Sequence, residues 1–304
     1  MADLTEAAAP YLLGDDVIAT LQNPTPTSEP SETLADWVLA QGLLQLSTED
    51  REKVYHDVHG LSDEIEESAE FVDENLAKLG EELSKIRNKE AYNAAKAIDQ
   101  AYVEKRDFRL QFLRAESFDA KKAALRIARH FQAKSDLFGR DKIARDILQS
   151  DLGEEDLECL YAGYEQFLPS KDRAGRDVFM QLAHANNKRM NETSKLRRFY
   201  YLVCQRMRDD VEAQKKGTVA VFFMGGNFLL NSYNVGERIK YPMLSLSLPV
   251  RFDAVHLCYD SKVWRTMIHL SKLLVGARLR NRIREHCCKL LTFQEKVCFL
   301  SNSS

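Results

Sequence analysis

Lysine and arginine are absent from the first 50 residues, which carry nine carboxylates (Asp3, Glu6, Asp15, Asp16, Glu29, Glu32, Asp36, Glu49 and Asp50). The chain therefore opens without the basic flank and apolar block of a secretory signal. Long apolar runs are missing too. The longest, from Thr218 to Leu230, is broken by Gly225, Gly226 and Asn227, and it falls short of the roughly 20 residues that cross a bilayer. Six cysteines are scattered (Cys159, Cys204, Cys258, Cys287, Cys288 and Cys298) with no C-x-x-C spacing, which fits a reducing compartment. No G-x-x-x-x-G-K-S/T, H-E-x-x-H or G-x-S-x-G occurs, and the seven histidines form no ligand-like cluster. Nucleotide hydrolysis, zinc proteolysis and α/β-hydrolase chemistry thus lack their usual parts. Gly225-Gly226 is the only hint of a dinucleotide loop, and without the rest of G-x-G-x-x-G it reads as a turn. These absences predict a non-enzymatic cytoplasmic protein with no cofactor, no metal and no nucleic-acid partner, touching membranes peripherally at most.

What is present is enough for a core: 304 residues, 44% of them hydrophobic, allow one large or two modest domains. Outside the acidic first 50 residues, 43 bases face the other 37 of the 46 acids, about +6. From Ser261 onward nine bases face only two acids, Glu285 and Glu295. Residues 1–33, with Pro24, Pro26 and Pro30 among Thr, Ser and Glu, read as an acidic disordered arm. A helix is expected from Leu34 to Leu46. Ser47 with Asp50 three residues on resembles a capping box opening another helix to His59. The charged stretch from Ser62 to Phe108 reads as a solvated helical bundle or hairpin.

Asp119 is a plausible N-cap for a helix with Ala124, Ile127, Ala128 and Phe131 on one face, stopped by Gly139. A short helix from Glu154 to Ala162 precedes two strands joined by the Asp172–Arg176 turn, an antiparallel hairpin at a sheet edge. Leu196, Phe199, Tyr200, Val203, Met207 and Val211 stripe one helix from Thr193 to Lys216. Two apolar runs follow, Val219–Phe223 and Val250–Tyr259, separated by about 25 residues. That distance suits a right-handed crossover between parallel strands buried on both faces. Trp264, Met267, Ile268, Ser271, Leu274 and Val275 then recur at helical spacing, as they do on any core-facing helix.

Three segments carry a family resemblance. FLRAESFDAKKAALRIARHF (Phe112 to Phe131), Asp172-Arg173-Ala174-Gly175-Arg176-Asp177-Val178, and Pro249-Val250-Arg251 with His256 further on stand in this order. Together, from Phe112 to about His286, the chain resembles the CRAL-TRIO lipid-binding family of phosphatidylinositol-transfer and tocopherol carriers. The resemblance implies an α/β three-layer sandwich with a mostly parallel sheet over 151–290, preceded by a helical region over 34–150. It also implies that the Trp264 helix is a gate over a lipid pocket, which swings at membranes. Tyr259-Asp260-Ser261 stands where many members carry Asn-x-Pro, and 291–304 is an atypical tail.

The expected ligand pocket is lined by Phe222, Phe228, Ala254, His256, Cys258, Trp264 and Ile268. Alternation places Phe252, Ala254, His256 and Cys258 on one sheet face. His256 reads either as a hydrogen-bonded core residue or as a polar group at the bottom of the pocket. If Leu279 to His286 is a strand, Arg278, Arg280, Arg282 and Arg284 share one side, a row suited to the phosphates of an anionic lipid or to a solubilised edge strand. The function expected is binding and transfer of one hydrophobic ligand, a phospholipid or phosphoinositide, at transient membrane contacts. The alternative is a protein-interaction scaffold with an unused pocket and partners docking on the N-terminal region.

Overall fold

The computed structural model describes residues 46–184, 192–225, 235–261 and 277–287, with Trp264, Arg265, Ile268, His269, Lys272 and Val275 in between. The expected arm over 1–33, the helix read before Leu46, Phe228 and the tail over 291–304 lie outside the described residues. The fold is mixed α/β around a five-stranded, mostly parallel sheet.

Helix α1 (Thr48–His59) starts where its cap predicts: the Ser47 hydroxyl accepts from the Asp50 amide at 3.0 Å. It ends at Gly60, whose φ of 68° needs glycine; a Cβ there would lie 2.3 Å from the Ala174 Cβ. Helices α2 (Ala69–Lys85), α3 (Glu90–Ile98), α4 (Gln100–Glu104), α5 (Arg106–Ala115) and α6 (Ala120–Phe138) follow. The charged stretch over 62–108 is more than a solvated bundle. Leu79, Ala95, Val103, Phe112, Leu113, Ile127 and Phe131 bury into one core there. Asp119 caps α6 by accepting from the Lys122 amide, and Gly139 ends it.

The sheet-bearing half comprises α7 (Glu154–Tyr161), β1 (Glu165–Phe167), β2 (Asp177–His184), α8 (Glu192–Asp209), α9 (Val211–Lys216), β3 (Thr218–Gly225), α10 (Val235–Ser245), β4 (Phe252–Tyr259), α11 (Ala277–Arg280) and β5 (Ile283–Cys287). Strand order follows chain order. β1 pairs antiparallel with β2, and β2, β3, β4 and β5 are parallel neighbours. The expected single helix over 193–216 is two, because Asp210 leaves the helical backbone and caps α9 through the Ala213 amide. Val211, placed on the buried stripe by periodicity, is 45% exposed for that reason.

One sheet face packs on α8 and α10: Phe179, Ala220 and Val255 meet Phe199, Tyr200, Val203, Met207 and Leu244. The other face carries Val178, Val219, Val221, Phe223, Ala254 and Cys258, against Val54 and Val58 of α1. Alternation along β4 is broken at its start. A bulge lies between the pairs Thr218↔Phe252 and Val219↔Ala254, making Asp253 the extra residue. Phe252 therefore does not share a face with Ala254, His256 and Cys258 as expected. It crosses to the helix-covered face and stacks on Phe199, centroids 6.1 Å apart. Gly217 makes room for the bulge: at φ 77°, a Cβ there would come 2.1 Å from Asp253 Oδ2.

Candidate functional site

Near the C-terminal ends of β3 and β4, the described residues leave the helix-covered face incompletely closed. Phe222, Met224, Leu257 and Tyr241 are only half-buried, although each packs against a core cluster. Trp264 and Ile268, both buried, cover Tyr259, Met224 and Leu257. The same segment is tied to the sheet by charge. Glu285 of β5 accepts from Lys272 Nζ at 2.7 Å on one oxygen and faces His269 Nε2 at 3.1 Å on the other. A polar edge completes the area, where the Gln181 amide donates to the Tyr241 hydroxyl and to Glu165, each at 3.2 Å.

The residues expected to line one pocket are divided by the sheet. His256 is opposite Val221 in register and Leu257 is opposite Phe222, so Phe222 and His256 point to different faces. Phe222, Trp264 and Ile268 stay on the helix-covered side; Ala254, His256 and Cys258 lie on the α1 side. Ala254 is fully buried. His256 has the partner a sheet histidine needs: its Nδ1 lies 2.8 Å from Nε2 of His286, with the rings stacked at 5.0 Å. Burial, then the neighbouring His286, Arg176 and Arg284, push its pKa down to about 4.

The arginine row does not form. Ala277–Arg280 is a helical turn and only Ile283 onward is strand, so period two does not extend over the set. Arg278 lies in that turn, and Arg280 is buried. Arg282 is taken by Asp57 of α1 in a buried ion pair. Arg284 is half-buried and donates to the Asn281 and Ile283 carbonyls.

A polar cleft of about 310 Å³ lies at the opposite, N-terminal end of β4. Sequence reading missed it because its charged residues come from separate places. Lys53 and Asp57 come from α1, Lys122 and Arg126 from α6, Arg251 from the approach to β4, and Arg282 from the approach to β5. Five cationic side chains line it against the carboxylates of Asp50, Asp57 and Glu116, leaving it positive. Its walls are tied together by ion pairs and hydrogen bonds. Arg126 pairs with Glu116, both buried, and donates to the carbonyls of Ser245, Leu248 and Val250 at 2.7–3.2 Å. Arg251 pairs with Asp253 at 2.7 Å and holds the Lys215 carbonyl at 2.9 Å. Ser117 on the wall and Phe118 beside it have φ of 50° and 61°, a backbone region that non-glycine residues seldom occupy. The nearest signal in the sequence is Pro249-Val250-Arg251, which carries part of the family resemblance.

Among the described residues no helix is long and apolar enough to cross a membrane, and no group of three or more His, Cys, Asp or Glu side chains is placed to hold a metal ion. No known protein-family model matches the chain.

Proposed function

We propose that the chain is a CRAL-TRIO-like three-layer sandwich that binds one phospholipid or phosphoinositide without covalent chemistry and passes it between membranes. The observation that carries this reading is the half-buried apolar group of Phe222, Met224, Leu257 and Tyr241 beside the Trp264 segment. Such side chains would be closed over in an ordinary core. Acyl chains placed there gain ~0.8 kcal/mol per buried CH₂, so ten methylenes supply several kcal/mol. The positive cleft, too far from the apolar group for one lipid to reach both, serves the anionic leaflet, with Lys53 and Lys122 exposed and each contributing about 1 kcal/mol near a charged surface. Along β4 the seven residue steps from Phe252 to Tyr259 span about 23 Å, longer than the roughly 15 Å filled by one leaflet's chains.

Native mass spectrometry of protein purified without detergent, followed by solvent extraction, tests the proposal. One lipid class at one per chain is expected, and Leu257→Trp should lower lipid uptake at least tenfold with unchanged circular dichroism. The double variant Lys53→Glu/Lys122→Glu should lose binding to phosphatidylserine or phosphoinositide vesicles while loading from neutral ones persists. A bare chain that also takes up nothing from liposomes of either kind defeats the carrier reading. Glu285→Gln removes the tie between β5 and the gate segment. At about 1 kcal/mol for a half-buried pair, it should raise the open fraction, and with it the transfer rate, near fivefold.

A second reading, a protein-interaction scaffold, is favoured by an open groove of about 910 Å³ between α7, β1, α8 and α9. Tyr161 on its rim is 77% exposed. A lipid-free chain with this groove occupied by a partner would decide for it.

A further inference from the structure

After α1 the chain runs from Leu61 to Glu67 in neither helix nor strand, and residues 61–66 are exposed. Over 62–67 its backbone forms no hydrogen bond with other backbone among the described residues. Ser62 opens this stretch and is followed by Asp63, Glu64, Glu66 and Glu67. Its hydroxyl donates at 2.8 Å to Oδ1 of Asp57, a buried carboxylate whose Oδ2 holds Arg282. Arg176 reaches the same place, donating to the Asp57 carbonyl at 2.5 Å and the Val58 carbonyl at 3.3 Å.

We propose that Ser62 is a phosphorylation site for an acid-directed serine kinase, and that its phosphate acts by taking Arg282 from Asp57. In the step itself, Ser62 Oγ bonds to the γ-phosphorus of a nucleoside triphosphate as the bond to the bridging oxygen breaks. The nucleoside diphosphate leaves and the hydroxyl proton goes to the kinase's base. An exposed segment with uncommitted backbone can lie extended in a kinase cleft, and the carboxylates of Asp63, Glu64 and Glu66 suit a cationic substrate groove, whereas Glu67 is held by Arg114 and anchors the end of the segment. Ser62 is the one serine or threonine of this stretch before the α2 cap.

The consequence follows from the hydrogen bond it replaces. A donor to Asp57 becomes a group of about −1.5 to −2 charge with three acceptor oxygens. Asp57 is repelled on one oxygen, while the guanidiniums of Arg282 and Arg176 are drawn to the phosphate. Asp57 ties α1 to the approach of β5 by its side chain and to the Asp172–Arg176 turn by its carbonyl. Modification therefore loosens α1 from the sheet and resets the cleft wall that Asp57 and Arg282 share. Weaker binding to anionic vesicles follows as well, and this last consequence alone rests on the carrier reading.

The full chain, treated with an acid-directed serine kinase and ATP, should carry one phosphate on the peptide containing Ser62. Ser62→Ala should lose it and Ser62→Thr retain it. Amide exchange over 50–60 and 283–287 should quicken at least fivefold on phosphorylation, whatever the chain binds. The proposal is overturned if a free peptide of residues 58–70 is modified while Ser62 in the folded chain is not. It is overturned equally if Ser62 is modified and exchange in those two segments does not change.

Discussion

Arg198→Ala is expected to cost the fold roughly 3–5 kcal/mol, a large part of the 5–15 kcal/mol that holds a typical domain together. Arg198 of α8 is completely buried. It forks onto Glu165 of β1 at 2.5 and 2.9 Å, approaches Asp156 of α7 at 3.5 Å and donates to the Ser194 hydroxyl at 2.7 Å. Asp156, equally buried, also takes Arg197 at 3.1 Å and the Gly153 amide at 3.2 Å. Two carboxylates and two guanidiniums thus balance inside the protein. Removing one guanidinium strands a carboxylate where water cannot reach it. Urea unfolding should show the midpoint falling in proportion. Arg198→Met with Glu165→Leu, which removes both charges of the closest pair, should regain at least half of the loss. A loss below about 1 kcal/mol for Arg198→Ala would mean the network contributes little.

Acid should destabilise the protein well above the range in which carboxylates titrate. His130 of α6 is buried between the helical layer and the sheet-bearing half. Its Nδ1 is 3.2 Å from the Ser247 carbonyl and its Nε2 2.9 Å from the Tyr200 hydroxyl. The carbonyl can only accept, so Nδ1 carries the proton and Nε2 accepts from Tyr200. A second proton on Nε2 would force the Tyr200 hydroxyl to turn from donor to acceptor and would bury a charge. Burial, helped by the nearby Lys134 cation, lowers the pKa to about 3 from the ordinary 6.5.

The unfolded chain then binds the proton that the folded chain refuses. The stability this neutral histidine contributes is present above pH 6.5 and is lost as pH falls toward 3, by up to about 5 kcal/mol. His256, lowered to about 4, adds to the same slope. In denaturant titrations from pH 7 to pH 4.5, His130→Asn should be less stable at pH 7 but show a slope shallower by close to one proton. Lys134 works at the other end. Held near 8 chiefly by burial, its amine makes stability rise between about pH 8 and 10.5, where only the unfolded chain keeps that proton.

Much of the frame was legible because local chemistry fixes it. Ser47, Asp119, Gly60 and Gly139 mark helix ends through hydrogen bonds and backbone angles that depend on few neighbours. The strands around Val219–Phe223 and Val255–Tyr259 declared themselves by β-branched and aromatic content. The candidate site was less legible, for specific reasons. One extra residue at Asp253 reversed the face of Phe252. The phase between β3 and β4 is set by pairing across the sheet, and no periodicity within either strand reports that Phe222 and His256 are out of step. Four alternating arginines look alike in a strand and in a helical turn. What decided among them was a carboxylate at Asp57, 225 residues earlier in the chain.

That separation bears on how the molecule is made. The three connections between β2 and β5 send α8, α10 and the Trp264 segment to one side of the sheet, so the opposite side is covered by α1, from far upstream. The helical core built from α2 to α6 needs only nearby chain and can assemble as it leaves the ribosome. Helix α1 must wait. At roughly 5–20 residues per second, the 225 residues between Asp57 and Arg282 take on the order of 10–45 seconds to synthesise. Until β2 and β3 emerge Val54 and Val58 have no sheet to cover, and from then until Arg282 arrives the apolar strand face has a cover fastened only in part, through Arg176. Nascent chains stalled before Arg282 should therefore engage chaperones through this helix and this face, and chains released past it should not.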